Sequence, residues 1–282
     1  MNPLISIAVP ARNSERTITE TLQSIQRQTF ADFEVLIADD GSTDRTSELV
    51  RSFREPRFRL ICDGRTLGIA GRLNQLARLA KGHYLARMDA DDIMHPDRLA
   101  KQLAAFDADS SIDVLGTDAY YIDEDGYVLD YFRTSTPSRD PWQVVMHGAF
   151  IHPTVMAPLS WFHRHPYSTV AHRAEDLELW MRTCRHSKFE VLREPLLYYR
   201  LRSTLRIRPI WESAHMTDKL ILRCGAETNR LWEARRRVFL RNLRFSTFIV
   251  ATLCGIRAAR WRLRAALRNA HGTNFKIDAR AL

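Results

Sequence analysis

Apolar residues in the first part of the chain follow two alternating rhythms. Leu4-Ile5-Ser6-Ile7-Ala8-Val9 is a short, nearly continuous apolar run, which predicts a buried strand ended by Pro10. Thr17 to Gln28 then places Ile18, Leu22 and Ile25 three and four residues apart, the interval of a helix face. The pair of rhythms repeats. Further strands are predicted at Phe33–Ala38, Phe58–Cys62, His83–Met88 and Ile112–Gly116. Helices are predicted around Leu49, Val50 and Phe53, over Ile69–Leu79, and over Leu99–Phe106. Asp44 is placed to cap the first of these. Such alternation predicts βαβ units, and so an α/β fold with a mostly parallel, Rossmann-like sheet flanked by helices.

Beyond residue 116 the pattern changes. Tyr120–Asp123 and Tyr127–Leu129 flank Glu124-Asp125-Gly126, which predicts a hairpin. Pro153, Pro158 and Pro166 predict an irregular path from Ile151 to Tyr167. Glu175–Thr183 carries Leu177, Trp180 and Met181 at helical spacing. Phe189–Leu192 and Leu196–Tyr199 read as two short strands, and from Trp211 the pattern is helical and basic.

The 282 residues suffice for one large domain with an appendage, and the 45% apolar share suits a real core. Charge divides the chain. A net +9 conceals −5 over residues 1–199 and +14 over residues 200–282. The division expected is a catalytic domain at 1–205, split into a 1–110 donor part and a 111–205 acceptor part, then a basic helical tail at 206–282. In the tail Arg235-Arg236-Arg237, Arg241, Arg244 and Arg257 to Arg268 interleave with Phe239, Leu243, Phe245 and Phe248. Two readings stand: peripheral contact with an anionic membrane, or a helix packed on the body with a solvated basic face. No recognition motif accompanies the charge, so no nucleic-acid partner is expected. Met1–Ile7 lacks the layout of a signal peptide, and Phe245–Ile256 is too short to span a bilayer. Cys62, Cys184, Cys224 and Cys254 lack metal-like spacing and read as reduced thiols. A cytoplasmic protein, with contact at the inner membrane face, is the expectation.

Polar clusters follow three predicted strands: Pro10–Asn13, Asp39–Asp44 and Asp89–Asp92. Ligands of parallel sheets bind beyond the carboxyl ends of the strands, so these clusters are expected on one rim. Asp89-Ala90-Asp91-Asp92 holds three carboxylates in four positions. Acids this close repel one another unless a cation sits among them. Hard divalent ions take such ligands and share them with a substrate's phosphates. An acidic turn ahead of a helix starting near Pro96 accounts for the same residues.

Taken in order, Val9-Pro10-Ala11-Arg12-Asn13, Gln28-Thr29-Phe30, Asp32-Phe33-Glu34, Asp39–Asp44, Gly68, Arg72-Leu73-Asn74, Gly82 and Asp89–Asp92 resemble the family 2 glycosyltransferases. The likeness is dense over the first 110 residues and thins toward residue 202. It implies a GT-A fold and an inverting enzyme that uses a nucleoside diphosphate sugar, with Mn²⁺ or Mg²⁺ as cofactor. It also implies a glycan or lipid-linked acceptor hydroxyl and a place in surface polysaccharide synthesis. By this resemblance Pro10, Ala11, Arg12, Asn13 and Glu15 form the loop beneath the base. Asp40 accepts a ring N–H, which favours uridine. Gly68, Arg72 and Asn74 face the diphosphate or ribose. Asp89, Ala90 and Asp91 form the Asp-x-Asp element, with Asp91 on the metal and Asp89 on the ribose or sharing the ion. Arg173-Ala174-Glu175-Asp176-Leu177 resembles the family's Glu-Asp pair, which makes Asp176 the base and Glu175 its support.

His152 is expected to line the acceptor side, as is Arg202. In Tyr199-Arg200-Leu201-Arg202 the last residue stands where many relatives carry His. Arginine pairs with phosphate and does not ligate a metal, so a third protein ligand stays open. The rivals are a nucleotidyltransferase acting on sugar phosphates and a non-enzymatic acidic-pocket module. The first needs a glycine-rich loop where Pro10–Ser14 has no glycine, and the second leaves Asp176 idle.

Overall fold

A computed structural model describes residues 2–201, 207–253 and 277, with the backbone alone at 207 and 244–253. Arg202, Cys254 and Arg257 to Arg268 lie outside the described residues, as do the side chains of Arg244, Phe245 and Phe248.

The first half builds as its pattern predicts: β1 (Ile5–Ala11), α1 (Ile18–Gln26), β2 (Phe33–Asp39), α2 (Thr46–Ser52), β3 (Phe58–Ile61), α3 (Gly68–Leu79) and β4 (Tyr84–Arg87). The strands pair in parallel in the order β3-β2-β1-β4. Strand β1 runs on through Pro10 to Ala11 rather than ending at the proline. Pairing with β4 stops at Ala8, so Pro10 falls where that edge of β1 is open and its missing N–H removes no bond on that side. Gly82 lets the chain enter β4 close against β1. A Cβ there would lie 2.5 Å from the Ser6 nitrogen, and Ser6 Oγ accepts the Gly82 N–H at 2.9 Å.

The second half comprises β5 (Ile93–Met94), α4 (Arg98–Ala108), β6 (Val114–Ile122), β7 (Val128–Phe132) and α5 (Pro141–His147). A 3₁₀ turn (His152–Thr154), β8 (Met156–Pro158), α6 (Leu159–Arg164), α7 (Glu175–Thr183) and β9 (Phe189–Arg200) follow, then α8 (Ile207–Glu227) and α9 (Leu231–Leu253). The sheet continues as β8-β6-β9-β5, with β7 on β6, and is mixed in this half. Three local expectations change. The two strand predictions flanking Gly116 fuse into β6, and those flanking Pro195 fuse into β9, because register shifts near Asp118 absorb the proline. The stretch from Ile151 to Tyr167 is not irregular: Pro158 ends β8 and leads directly into α6. Helix α5 was not among the predicted elements, although Trp142, Val145 and Met146 stand at helical spacing; Asp140 caps it, accepting the Trp142 N–H at 2.9 Å, with Pro141 in its first turn.

Two apolar clusters cover opposite sheet faces. Ile5, Ile7 and Val9 pack with Ile18, Leu22 and Leu99 in one. Ala8, Leu36 and Leu85 lie in the other with Leu73, Leu76, Trp161 and Trp180. Leu220, Ile221 and Cys224 of α8 and Ala234 of α9 belong to this second cluster, beside Trp142, Val144 and Leu179. The beginning of the basic tail therefore packs on the body.

Candidate active site

The loops after β1 and β2 are laced together. Asn13, in the left-handed conformation (φ 50°), donates its N–H to Ser42 Oγ at 2.9 Å and accepts the Thr43 N–H at 2.9 Å. Glu15 accepts the Arg45 N–H at 3.1 Å, while Asp44 accepts the N–H groups of Glu15 and Thr46 at 3.1 and 3.0 Å. Asp44 thus serves the turn into α2, as expected of it. Asp39 is buried, and against the upward push of burial, hydrogen bonds from Ser42, Ser47 and Cys62 hold its carboxyl below the usual range.

Asp40 faces the other way, onto the start of α3. It accepts the Leu67 and Gly68 N–H groups at 2.7 and 3.1 Å and Arg72 Nε at 3.0 Å, and Arg12 leans on it at 3.7 Å. Pro10, Ala11, Arg12, Asp40, Gly68, Arg72 and Glu175 line one cavity of about 520 Å³. Arg72 is fully buried within this wall, bonded to Asp40, Asp63, Gln75 and the Arg65 carbonyl. Its guanidinium orders the loop. Asn74 is committed too: it exchanges hydrogen bonds with the Tyr167 backbone at 2.8 and 2.9 Å.

A second cavity, of about 790 Å³, is lined by Asp89, Asp91, Tyr199, Arg200 and residues of α8. The two cavities share Arg173 and Ser213 and so adjoin. Asp89 is held by a two-pronged pair with buried Arg87 at 2.7 Å. The Ala90 carbonyl accepts Thr17 Oγ1 at 2.9 Å. Asp92 is buried and accepts the Arg200 N–H at 2.8 Å. Burial, then repulsion from Asp89 and Asp91, push its carboxyl well above the ordinary range. Asp92 therefore belongs to the support of the cluster. Arg200 Nε donates to the Asp91 carbonyl at 2.8 Å, and its other nitrogens hold the Asp123 and Glu124 carbonyls and Glu20.

Glu175 and Asp176 open α7. Glu175 is buried with one oxygen, Oε2, unpartnered among the described residues. Burial, then the adjacent Asp176, push its carboxyl up to about 7. Asp176 is half-buried, and burial raises its carboxyl as well, opposed by the Leu177 N–H and by Arg87. Both acids thus sense the cation that pairs with Asp89. His152 is buried against Tyr167, 2.9 Å from its hydroxyl, and burial together with Arg87 pushes its ring well below the usual range, which keeps it neutral. It supports the wall behind the acids.

The model of the family described as "Glycosyl transferase family 2" matches residues 6–166, over half of the chain. This chain belongs to that family. An uncharacterized glycosyltransferase of Methanocaldococcus jannaschii is 29% identical over 209 residues, 71% of each chain. The putative glycosyltransferase EpsE of Bacillus subtilis is 32% identical over 186 residues, 64% of this chain and 66% of its own length. The fold agrees with solved relatives. Staphylococcus aureus TarS in complex with UDP-GlcNAc superposes with a TM-score of 0.61 at 22% identity, over 85% of this chain and 73% of that one. The mannosyltransferase PcManGT of Pyrobaculum calidifontis, in complex with GDP-Man and Mn²⁺, gives 0.58 at 20% identity, over 96% and 79%. The GT-A architecture expected from the sequence is thus the architecture of this glycosyltransferase.

Among the described residues of this transferase, no three His, Cys, Asp or Glu side chains are grouped to hold a metal. Asp89 and Asp91 offer hard oxygen donors on the wall of an open cavity. That suits an ion of the Mg²⁺ type, which takes one or two carboxylates and completes its shell with water and phosphate oxygens. Two arginines that organise the site, Arg87 and Arg200, went unrecognised in the sequence. For Arg87 the available signal was a cation ending a buried strand beside an acidic cluster, where it needs a carboxylate or carbonyl partner; Arg200 has no acid near it along the chain and offered only its place at a strand end.

Proposed function

We propose that this family 2 member is an inverting, metal-dependent transferase that moves a sugar from a UDP-sugar to a hydroxyl of a glycan or lipid-linked acceptor in surface polysaccharide synthesis. The observation that carries the reading is the adjoining of the Asp40–Gly68 cavity with the Asp89–Asp91 cavity, with Glu175 on the wall beside the junction. One cleft then has room for a nucleoside at one end and phosphates at the other. Relatives agree in kind: a UDP-glucose-dependent β-1,3-glucosyltransferase of Escherichia coli, WfgD, whose name gives a diphosphoundecaprenol acceptor, is 36% identical over 101 residues, 36% of this chain and 40% of its own.

In the reading, Pro10 to Arg12 carry the base and Asp40 orders the loop beside it. Asn13 and Glu15 act from behind by bracing that loop, Asn74 braces the Tyr167 wall, and Arg202 and His152 serve the acceptor side. Asp91 and Asp89 would hold Mn²⁺ or Mg²⁺, which when bound would supply positive charge beside the departing diphosphate. Asp176 takes the acceptor's hydroxyl proton as its oxygen bonds to the anomeric carbon. The bond from that carbon to the phosphate oxygen breaks, and the configuration inverts because one displacement occurs. Glu175 supports the base. The tail contacts an anionic membrane through α9.

A panel of UDP-sugars with oligosaccharide and polyprenyl-diphosphate-sugar acceptors tests this. Acceptor-dependent UDP release that requires Mn²⁺ or Mg²⁺ is expected. Asp176→Asn should lower kcat by about 10²–10⁴ while UDP still binds. Asp91→Ala should lose the stimulation by metal. Pyrophosphate release from a nucleoside triphosphate and a sugar phosphate would replace this reading with nucleotidyl transfer.

A further inference from the structure

The resemblance assigned Arg72 to the diphosphate, but its guanidinium is buried and bonded on every side described above. Other arginines of the two cavity walls are also placed elsewhere. Arg200 is bonded to backbone carbonyls and Glu20. Arg241 pairs with Asp218. Arg12 sits by Asp40, at the nucleoside end. Arg173 differs: it lines both cavities, at their junction.

The chain holds Arg173 there against a local cost. Its φ of +63° is left-handed, a conformation that side chains with a Cβ disfavour. Its carbonyl accepts Ser213 Oγ from α8 at 3.0 Å, and the next residue's N–H donates to the Ala171 carbonyl at 3.0 Å. The side chain is 41% exposed, and its Nε donates to Glu212 of α8 at 2.8 Å. Among the described residues its remaining guanidinium N–H groups make no other hydrogen bond. Glu212 has a second cation in Arg208, also at 2.8 Å, so it stays paired if Arg173 turns away.

We propose that Arg173 is the cation that grips the diphosphate of the nucleotide, and that Glu212 competes with the phosphate for it. The inference rests on the nucleotide-sugar reading above. A base near Asp40 with phosphates near Asp89 and Asp91 must pass the junction that Arg173 lines. There its fork of N–H donors meets phosphate oxygens. Exchange of carboxylate for phosphate also ties α8 to occupancy of the cleft, since both Glu212 and Ser213 belong to that helix.

Calorimetric titration of the full chain with UDP, GDP and uridine, each with Mn²⁺, tests the proposal. Arg173→Met should weaken the binding of UDP, or of GDP if that is the nucleotide bound, by about tenfold or more. The uridine affinity should not move. Glu212→Gln should tighten nucleoside diphosphate binding severalfold, because the competing carboxylate loses its charge. Equal diphosphate affinity in wild type and Arg173→Met overturns the proposal, and so does unchanged or weaker binding in Glu212→Gln. The second variant decides alone if the first does not fold. Wild type that binds neither UDP nor GDP defeats the nucleotide-sugar reading itself, an outcome distinct from a silent Arg173.

Discussion

At Glu175 a carboxyl is buried beside a second acid, and its sign of pH dependence follows directly. Its ordinary value of 4.5 rises to about 7 in the folded chain, first through burial and then through Asp176. The folded state therefore holds its proton more tightly than the unfolded one. Its contribution to stability is complete below about pH 4.5 and is lost as pH climbs through about 7. The difference is on the order of 3 kcal/mol. Glu175→Gln is expected to flatten the fall in Tm between those values and to be more stable than wild type at pH 8, by scanning calorimetry. Parallel Tm profiles would remove Glu175 as the source. At this scale the residue types of the site were legible, but their directions were not. Arg72 and Asn74 stand where the resemblance put them, yet each turns its polar atoms onto protein groups. A sequence names a donor without saying which acceptor the folded chain brings to it.

Elements follow from periodicity where the period is unbroken. α1, α3 and α7 carry apolar residues at the spacing of one buried face and appear at nearly the predicted bounds. Misreadings arose where one residue type serves two outcomes. Pro158 read as a breaker, yet it joins a strand to a helix, and Pro195, in the gap between two predicted strands, sits inside β9 at a register shift. Helix α8 is the element whose attachment matters most, since it supplies Glu212 and Ser213 to the cleft wall. Its Leu220, Ile221 and Cys224 are buried against α5 and α7. Leu220→Ala should therefore cost about 2–5 kcal/mol of unfolding free energy in urea titrations. A change below about 0.5 kcal/mol would mean that α8 is an ornament of the body rather than part of its core.

At the scale of the whole molecule, exposed apolar and basic side chains come together on α9. On α9, Trp232 is 73% exposed and Phe239 66%, with Leu243 also exposed, and exposed Arg235 and Arg236 share the helix turns between them. Among the described residues no helix is long and apolar enough to cross a membrane. The face suits the boundary of an anionic bilayer, where each basic residue near the surface contributes about 1 kcal/mol. Co-sedimentation with phosphatidylglycerol vesicles is expected, weakening as salt rises. Trp232→Glu with Phe239→Glu should abolish it. Equal sedimentation with phosphatidylcholine vesicles would refute an electrostatic contribution.

The sequence by itself determined the alternation of strand and helix, the acidic body with its basic tail, and the ordered motifs that mark the family. These are local properties, set by side-chain period and by neighbours along the chain. Only the tertiary structure decided which charges meet. Arg72 reaches Asp40 across 32 residues, Arg200 reaches Glu20 across 180, and Arg173 is placed at the junction of two cavities by a helix that begins over thirty residues later. A buried charge takes whichever partner the packed chain brings within reach, and packing is not written in the spacing of any one segment.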